Sequence, residues 1–248
     1  SFASKIFLLK NNYIFFEGLG SNFGNYNYKD LNSHKLSFIL KLILRVSVQF
    51  SQKSIFINKE DLIDISRINN KVLKNSFILG PIGLDLNYYN YSKLNLNNIS
   101  FIYIGRIHYE KGIINYIEAA HLVNKKFNNV RFTIVGEVDP KSEKKFKKFI
   151  ENQKSFKYIK FLEYKDDIRE ILEKHTILVL PTFYREGSPR TIQESIALGR
   201  PFITTNIPGC KFLLDNGRNG FECSINNTIS ITNIIFNILN NKLDLIPK

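Results

Sequence analysis

Short apolar runs alternate along the chain with longer segments in which apolar residues recur three and four positions apart. The runs fall at residues 12–16, 54–57, 77–79, 99–104, 130–135, 158–162, 176–180 and 201–204. At that length they predict strands, and the continuous ones, such as Thr176-Ile177-Leu178-Val179-Leu180, predict strands buried on both faces. Helical spacing predicts helices over 36–50, 59–68, 112–127, 142–153, 167–174 and 229–239, with residues 1–10 reading as the end of another. Strand and helix alternate nearly throughout, which predicts an α/β fold with parallel sheets and helices on both faces.

The alternation is interrupted once. Gly80-Pro81-Ile82-Gly83-Leu84-Asp85 is rich in chain breakers, and the stretch from 87 to 98 is polar and rich in Asn and Tyr. This divides the chain into a first domain over 1–86, an interdomain linker over 87–98 and a second domain over 99–248. The short Asn-rich stretches are not repeats, and no internal period is present.

In a doubly wound sheet, ligands bind at the carboxyl ends of the strands. Three loops of the second domain occupy that edge: 105–112, 136–140 and 181–188. The last belongs to PTFYREGSPRTIQESIALGRP, residues 181–201. Ser188 suits an N-cap, Pro189 the first helical position, and Gly199 with Pro201 ends the helix. Free N–H groups and the dipole make a helix start an anion site. Glu186 lies just before this one and Glu194 inside it, and carboxylates accept hydrogen bonds from vicinal hydroxyls. A ligand with both phosphates and hydroxyls, such as a nucleotide sugar, meets both requirements. The blander alternatives are an exposed helix residue for Glu194 and a dipole-favoured carboxylate for Glu186. In the first loop, Arg106 leaves the strand and Lys111 precedes a helix, so both can reach one anion. Two such cations stabilise a departing diphosphate without a metal. Alternatively they are two solvated surface charges, and Arg190 is open to the same pair of readings.

Composition narrows the classes. The chain has 248 residues, 44% hydrophobic, enough for a full core, and carries a net charge of +13. The charge reflects either a solvated Lys-rich surface or an anionic partner. No RNP-like aromatic motif, zinc finger or Arg-rich tract is present, which argues against nucleic acid. Cys210 and Cys223 form no CxxC and no His/Cys cluster, so neither a disulfide framework nor a metal is expected. His34, His108, His121 and His175 read as structural or exposed. The segment LSFILKLILRVSVQF, residues 36–50, is short for a membrane span and carries Lys41 and Arg45. It reads as a helix buried on one side, with contact to a membrane surface as the alternative. The chain starts at Ser1 and contains no Met, and it reads as a fragment.

Taken together, FIYIGRIHYEKG, FTIVGE, the 181–201 stretch and IPGCKFLLDNGRNG resemble the retaining glycosyltransferases of family 4. FFEGLGSNF and GPIGLDLNYY resemble the late first domain and the interdomain passage of such enzymes. The resemblance is strongest to bacterial transferases that extend undecaprenyl-diphosphate-linked glycans in O-antigen, capsule or N-glycan assembly. It implies the GT-B architecture, two Rossmann-like domains with parallel sheets, the first of them incomplete here. It also implies roles for residues. Glu186 would contact donor-sugar hydroxyls, and Glu194 would hold the ribose. Arg106 and Lys111 would meet the diphosphate, with backbone N–H groups from Gly187 and Ser188. Leu162, Glu163 and Tyr164 would frame the base, and Gly136 would admit the nucleotide to the sheet edge.

The expected reaction is transfer, with retention, of a hexosyl or N-acetylhexosaminyl group from a UDP-sugar to a lipid-linked glycan. No metal or other cofactor is expected. The expected location is the cytoplasmic face of an anionic membrane, with peripheral attachment and no nucleic-acid partner. The rival readings are a non-catalytic nucleotide-sugar-binding module, a GT-B phosphorylase or UDP-sugar epimerase, and a basic nucleic-acid-binding protein. By this reading much of the acceptor site belongs to a part of the first domain not in this chain, so the chain alone is expected to be inactive.

Overall fold

The computed structural model describes residues 12–20 and 38–241. The helix expected over 1–10, the start of the one expected from 36, and His34 lie outside them. The described residues form two compact units.

The first unit holds a parallel sheet, β1 (Tyr13–Phe16), β2 (Lys53–Phe56) and β3 (Ser76–Ile78), in that order. Register places Phe16 beside Phe56, and their rings stack at 4.5 Å. Helix α1 (Phe38–Phe50) is apolar on more than one side. Leu40, Leu44 and Val48, each four positions on, pack on the Phe16–Phe56 core with Ile65 and Val72. Phe38, Ile39, Leu42 and Ile43 remain exposed. The expectation of a helix buried on one side therefore holds, with an apolar strip left in solvent. Helix α2 (Lys59–Ser66) is opened by Asn58, whose side chain accepts from the Asp61 N–H at 2.8 Å. Residues 184–189 and 207–212, which include α7 (Pro208–Lys211), also belong to this unit.

The second unit is a six-stranded parallel sheet. Its strands are β4 (Ser100–Ile104), β5 (Arg131–Val135), β6 (Ile159–Leu162), β7 (Ile177–Leu180), β8 (Phe202–Thr205) and β9 (Gly220–Cys223). Their order is β6-β5-β4-β7-β8-β9, which puts the topological switch point between β4 and β7. Every residue of β4, β7 and β8 is buried, as continuous apolar runs require of central parallel strands. The helices are α3 (Ile113–Asn124), α4 (Lys144–Gln153), α5 (Arg169–Glu173), α6 (Arg190–Ala197) and α8 (Thr228–Asn240). Strand β9 was not expected, because GFEC has too little apolar content to stand out beside the Asn219-Gly220 turn. Pairing of its Gly220 with Phe202 makes it a strand. Cys210 and Cys223 are both buried and in no disulfide, and burial pushes the Cys223 thiol up to about 12.

Candidate functional site

Four loops at the carboxyl edge of the second sheet enclose a cavity of about 540 Å³. That is within the usual range for small-molecule sites, roughly 300–1,000 Å³. The end of β4 contributes Gly105 and Arg106, the end of β5 Gly136 and Glu137, and the segment after β6 Tyr164 to Asp166. Helix α6, which follows β7, contributes Arg190, Thr191 and Glu194. Residues distant in sequence thus meet at the switch point.

Local structure explains how each is placed. Gly136 has φ +143°, and a Cβ there would lie 2.1 Å from the Gly105 carbonyl oxygen. Only glycine lets the ends of β4 and β5 close up in this way. Arg106 is held through its backbone, whose carbonyl accepts from the Tyr103 hydroxyl at 2.9 Å. Its exposed guanidinium lies 3.5 Å from the Asp139 carboxylate. The Asp139 carboxyl is held below the usual range, first by the Lys141 N–H at 2.8 Å and then by Arg106. Helix α6 opens at Arg190, directly after the Ser188-Pro189 start signal. Four positions on, Glu194 is only 5% exposed, although the sequence left it open as a surface residue. Its Oε1 accepts from Arg190 Nε at 2.9 Å and from the Tyr89 hydroxyl at 2.7 Å.

The structure brings Arg106, Gly136, Tyr164 and Glu194 to one cavity, and Arg190 joins them. Lys111, Leu162 and Glu163 are not among its lining residues. Lys111 ends a 3-10 turn, Tyr109–Lys111, ahead of α3. Leu162 closes β6, and Glu163 is exposed beyond it.

Glu186, Gly187 and Ser188 lie on the 184–189 loop of the first unit. The Glu186 N–H donates to the Tyr184 carbonyl at 2.8 Å. The Gly187 carbonyl accepts from Asn58 Nδ2 at 3.2 Å, so the residue that caps α2 also holds this loop. A Cβ at Gly187 would lie 1.4 Å from the Glu17 carbonyl oxygen, a contact no other residue survives. Beside it, Arg185 is 2% exposed and donates through Nε and Nη2 to Asp61 at 3.1 and 2.8 Å, with Asp64 on the same guanidinium. Burial pushes the Asp61 carboxyl up, and Arg185 opposes that push.

Sequence reasoning missed Tyr89 and the Arg185 anchors. Tyr89 closes the GPIGLDLNYY passage, but nothing in that passage distinguishes it from Tyr88 as the partner of a carboxylate. Asp61 and Asp64 read as ordinary polar positions of a helix.

Comparison with known proteins gives a consistent result. The profile of the family described as glycosyl transferases group 1 matches residues 90–245. The chain is 23% identical over 227 residues to the N,N'-diacetylbacillosaminyl-diphospho-undecaprenol alpha-1,3-N-acetylgalactosaminyltransferase of Campylobacter jejuni, covering 85% of this chain and 56% of that protein. It is 28% identical over 152 residues to the UDP-Gal:alpha-D-GlcNAc-diphosphoundecaprenol alpha-1,3-galactosyltransferase of Escherichia coli, covering 60% and 39%. The chain thus spans about half, or less, of the length of these relatives. Among solved structures, Anabaena HepE in complex with UDP and glucose aligns with a TM-score of 0.76 at 18% identity, covering 98% of this chain and 65% of that one. Staphylococcus aureus TarM, complexed with UDP among other ligands, aligns at 0.78 with 22% identity, covering 99% and 48%. These likenesses show an α/β fold of the GT-B class.

Proposed function

Because the match over residues 90–245 makes the chain a member of the glycosyl transferases group 1 family, we propose that it serves as a retaining glycosyltransferase. The reaction moves a hexosyl or N-acetylhexosaminyl group from a UDP-sugar to a lipid-linked glycan acceptor. The observation that carries this reading is the cavity at the β4–β7 switch point, with a cation at one strand end and the buried Glu194 on α6. Arg106 and Arg190 suit a diphosphate, and the Glu194 carboxylate suits the ribose hydroxyls. Lys111 supplies further positive charge near the leaving group, and Glu186 accepts from the donor-sugar hydroxyls. Gly187 and Ser188 offer backbone N–H groups to phosphate or sugar, and Leu162 and Glu163 frame the base with Tyr164. Charge developing on the leaving diphosphate is met by the cations, so the reading routes no step through a metal or other cofactor.

The named relatives from C. jejuni and E. coli act on diphosphoundecaprenol-linked substrates, which supports an acceptor of that class here. Among the described residues no helix is long and apolar enough to cross a membrane. The exposed strip of Phe38, Ile39, Leu42 and Ile43 on α1, flanked by Lys41 and Arg45, suits peripheral contact with an anionic bilayer at its cytoplasmic face.

The test is a screen of UDP-sugars with the complete gene product and a lipid-diphosphate acceptor. Consumption of one donor with formation of a lengthened acceptor is expected. Glu186→Ala and Lys111→Ala should each lower the rate by about a hundredfold or more. If no UDP-sugar is consumed, the reading fails. Release of free UDP without acceptor product would point instead to the epimerase alternative.

A further inference from the structure

We infer that Tyr89, in the segment between the two sheets, is a positioning residue that sets the orientation of the Glu194 carboxylate and thereby the preference of the cavity for a ribose with both hydroxyls. The inference rests on the reading of the cavity as a nucleotide-sugar site, and it adds a residue to which the sequence assigns no role.

The geometry is specific. Tyr89 is 5% exposed, and its hydroxyl donates to Glu194 Oε1 at 2.7 Å across 105 positions of sequence. Arg190 Nε reaches the same oxygen at 2.9 Å. Both contacts fall on one oxygen, and a carboxylate has about four lone-pair sites, so acceptor capacity remains for a ligand's hydroxyls. Two donors from different directions fix the plane of the carboxylate, as outer-shell partners do for a liganding group. Arg190 alone is a weak clamp, since its side chain is 73% exposed and long. Tyr89 has only two side-chain torsions and is buried. Burial and the Glu194 acceptor also raise the Tyr89 phenol above its ordinary value.

Tyr89 is itself held from both sides. The Arg169 guanidinium stacks 3.4 Å from the centre of the Tyr88 ring and donates to the Tyr88 carbonyl at 2.9 Å. Asp167 fixes that guanidinium, with Nε–Oδ1 at 2.9 Å. On the other side, the Tyr91 ring covers Gly199, where a Cβ would come within 2.4 Å of it. Arg200 donates to the Ser92 carbonyl at 2.7 Å. A segment that needed only to connect two units would not require these attachments. Their joint effect is to present one phenol hydroxyl to Glu194 at a fixed place, which lowers the ordering cost of binding.

The test measures binding of UDP, and of its analogue lacking both ribose hydroxyls, by titration calorimetry. The proteins are the complete gene product and its Tyr89→Phe, Glu194→Gln and doubly substituted forms. Tyr89→Phe keeps the ring and its packing. It should weaken UDP binding about tenfold or more, the order of one hydrogen bond to a charged group. It should leave binding of the analogue within about twofold, so the ratio between the two ligands collapses. The effects of Tyr89→Phe and Glu194→Gln on that ratio should be non-additive, because one acts through the other. A ratio unchanged in Tyr89→Phe, or fully additive effects, overturns the inference while leaving the nucleotide-sugar reading in place. Absence of UDP binding by the unsubstituted protein overturns that reading, and the inference with it. Should Tyr89→Phe fold poorly, Arg169→Ala, which loosens the same segment from outside, must reduce the ratio in the same direction, and an unchanged ratio there overturns the inference.

Discussion

Arg185 and Glu186 are adjacent in sequence and opposite in environment. Glu186 is partly exposed, whereas the Arg185 guanidinium is buried against Asp61 and Asp64. Replacing the guanidinium with an apolar side chain of similar length would leave the buried Asp61 carboxylate without its cation, while Asp64 keeps Arg67. Arg185→Met is therefore expected to destabilise the protein by about 3–5 kcal/mol, read from urea denaturation. The deficit should shrink as pH falls, because the orphaned Asp61 carboxylate then takes up a proton; a deficit independent of pH would contradict the ion-pair account. A second residue gives a pH dependence of its own. His175 sits with Nδ1 at 2.6 Å from the Ile171 carbonyl and Nε2 at 2.7 Å from the Thr133 hydroxyl. The carbonyl can only accept, so Nδ1 carries a proton, and burial favours the neutral ring by lowering its pKa below the ordinary 6.5. The unfolded chain then binds the proton more readily. The stability contribution is complete above 6.5 and is lost as pH falls toward the folded value. Relative to His175→Gln, the unsubstituted protein should lose stability as pH falls below the ordinary 6.5; parallel curves would refute this.

Among the elements, α1 is the one whose composition exceeds what its packing uses. Positions 40, 44 and 48 face the core of the first unit, while Leu42 and Ile43 are 51% and 55% exposed. Leu42→Glu with Ile43→Glu should leave the unfolding midpoint nearly unchanged, since neither side chain is buried. The same pair should reduce co-sedimentation with anionic phospholipid vesicles at least tenfold, roughly the effect of losing two apolar side chains from an interface. Unaltered vesicle binding would remove α1 from the membrane reading. Elsewhere the ends of elements followed local rules. The Asn58 cap opens α2, Gly112 at φ +73° separates a 3-10 turn from α3, and Pro189 precedes α6. Several expected helices were longer than those found, as over 167–174, where α5 runs only Arg169–Glu173, whereas α8 extends one residue past each end of the expected 229–239.

Across the whole molecule, the parallel sheets and the convergence of several loops at one sheet edge were legible in the alternation of apolar runs, helical spacing and breakers. These signals are local: a strand's burial, a helix's face and a cap each depend on residues within a few positions. The Glu186 and Glu194 pair was legible beside its helix start because that motif is contiguous, and the family resemblance added only the separate roles. The neighbours of those acids could not be read the same way. Tyr89 reaches Glu194 across 105 positions, and Arg185 reaches Asp61 across 124. Which Tyr of an Asn/Tyr-rich stretch turns inward, and which carboxylates receive a buried guanidinium, depends on the path of the backbone between them. The same is true of the division of 181–201, whose 184–189 loop joins the first unit while α6 joins the second. One-dimensional pattern carries the elements and the chemistry held within a single loop. The partners of each charged group follow from burial in three dimensions, where a polar atom must find whatever donor or acceptor the folded chain brings within hydrogen-bond reach.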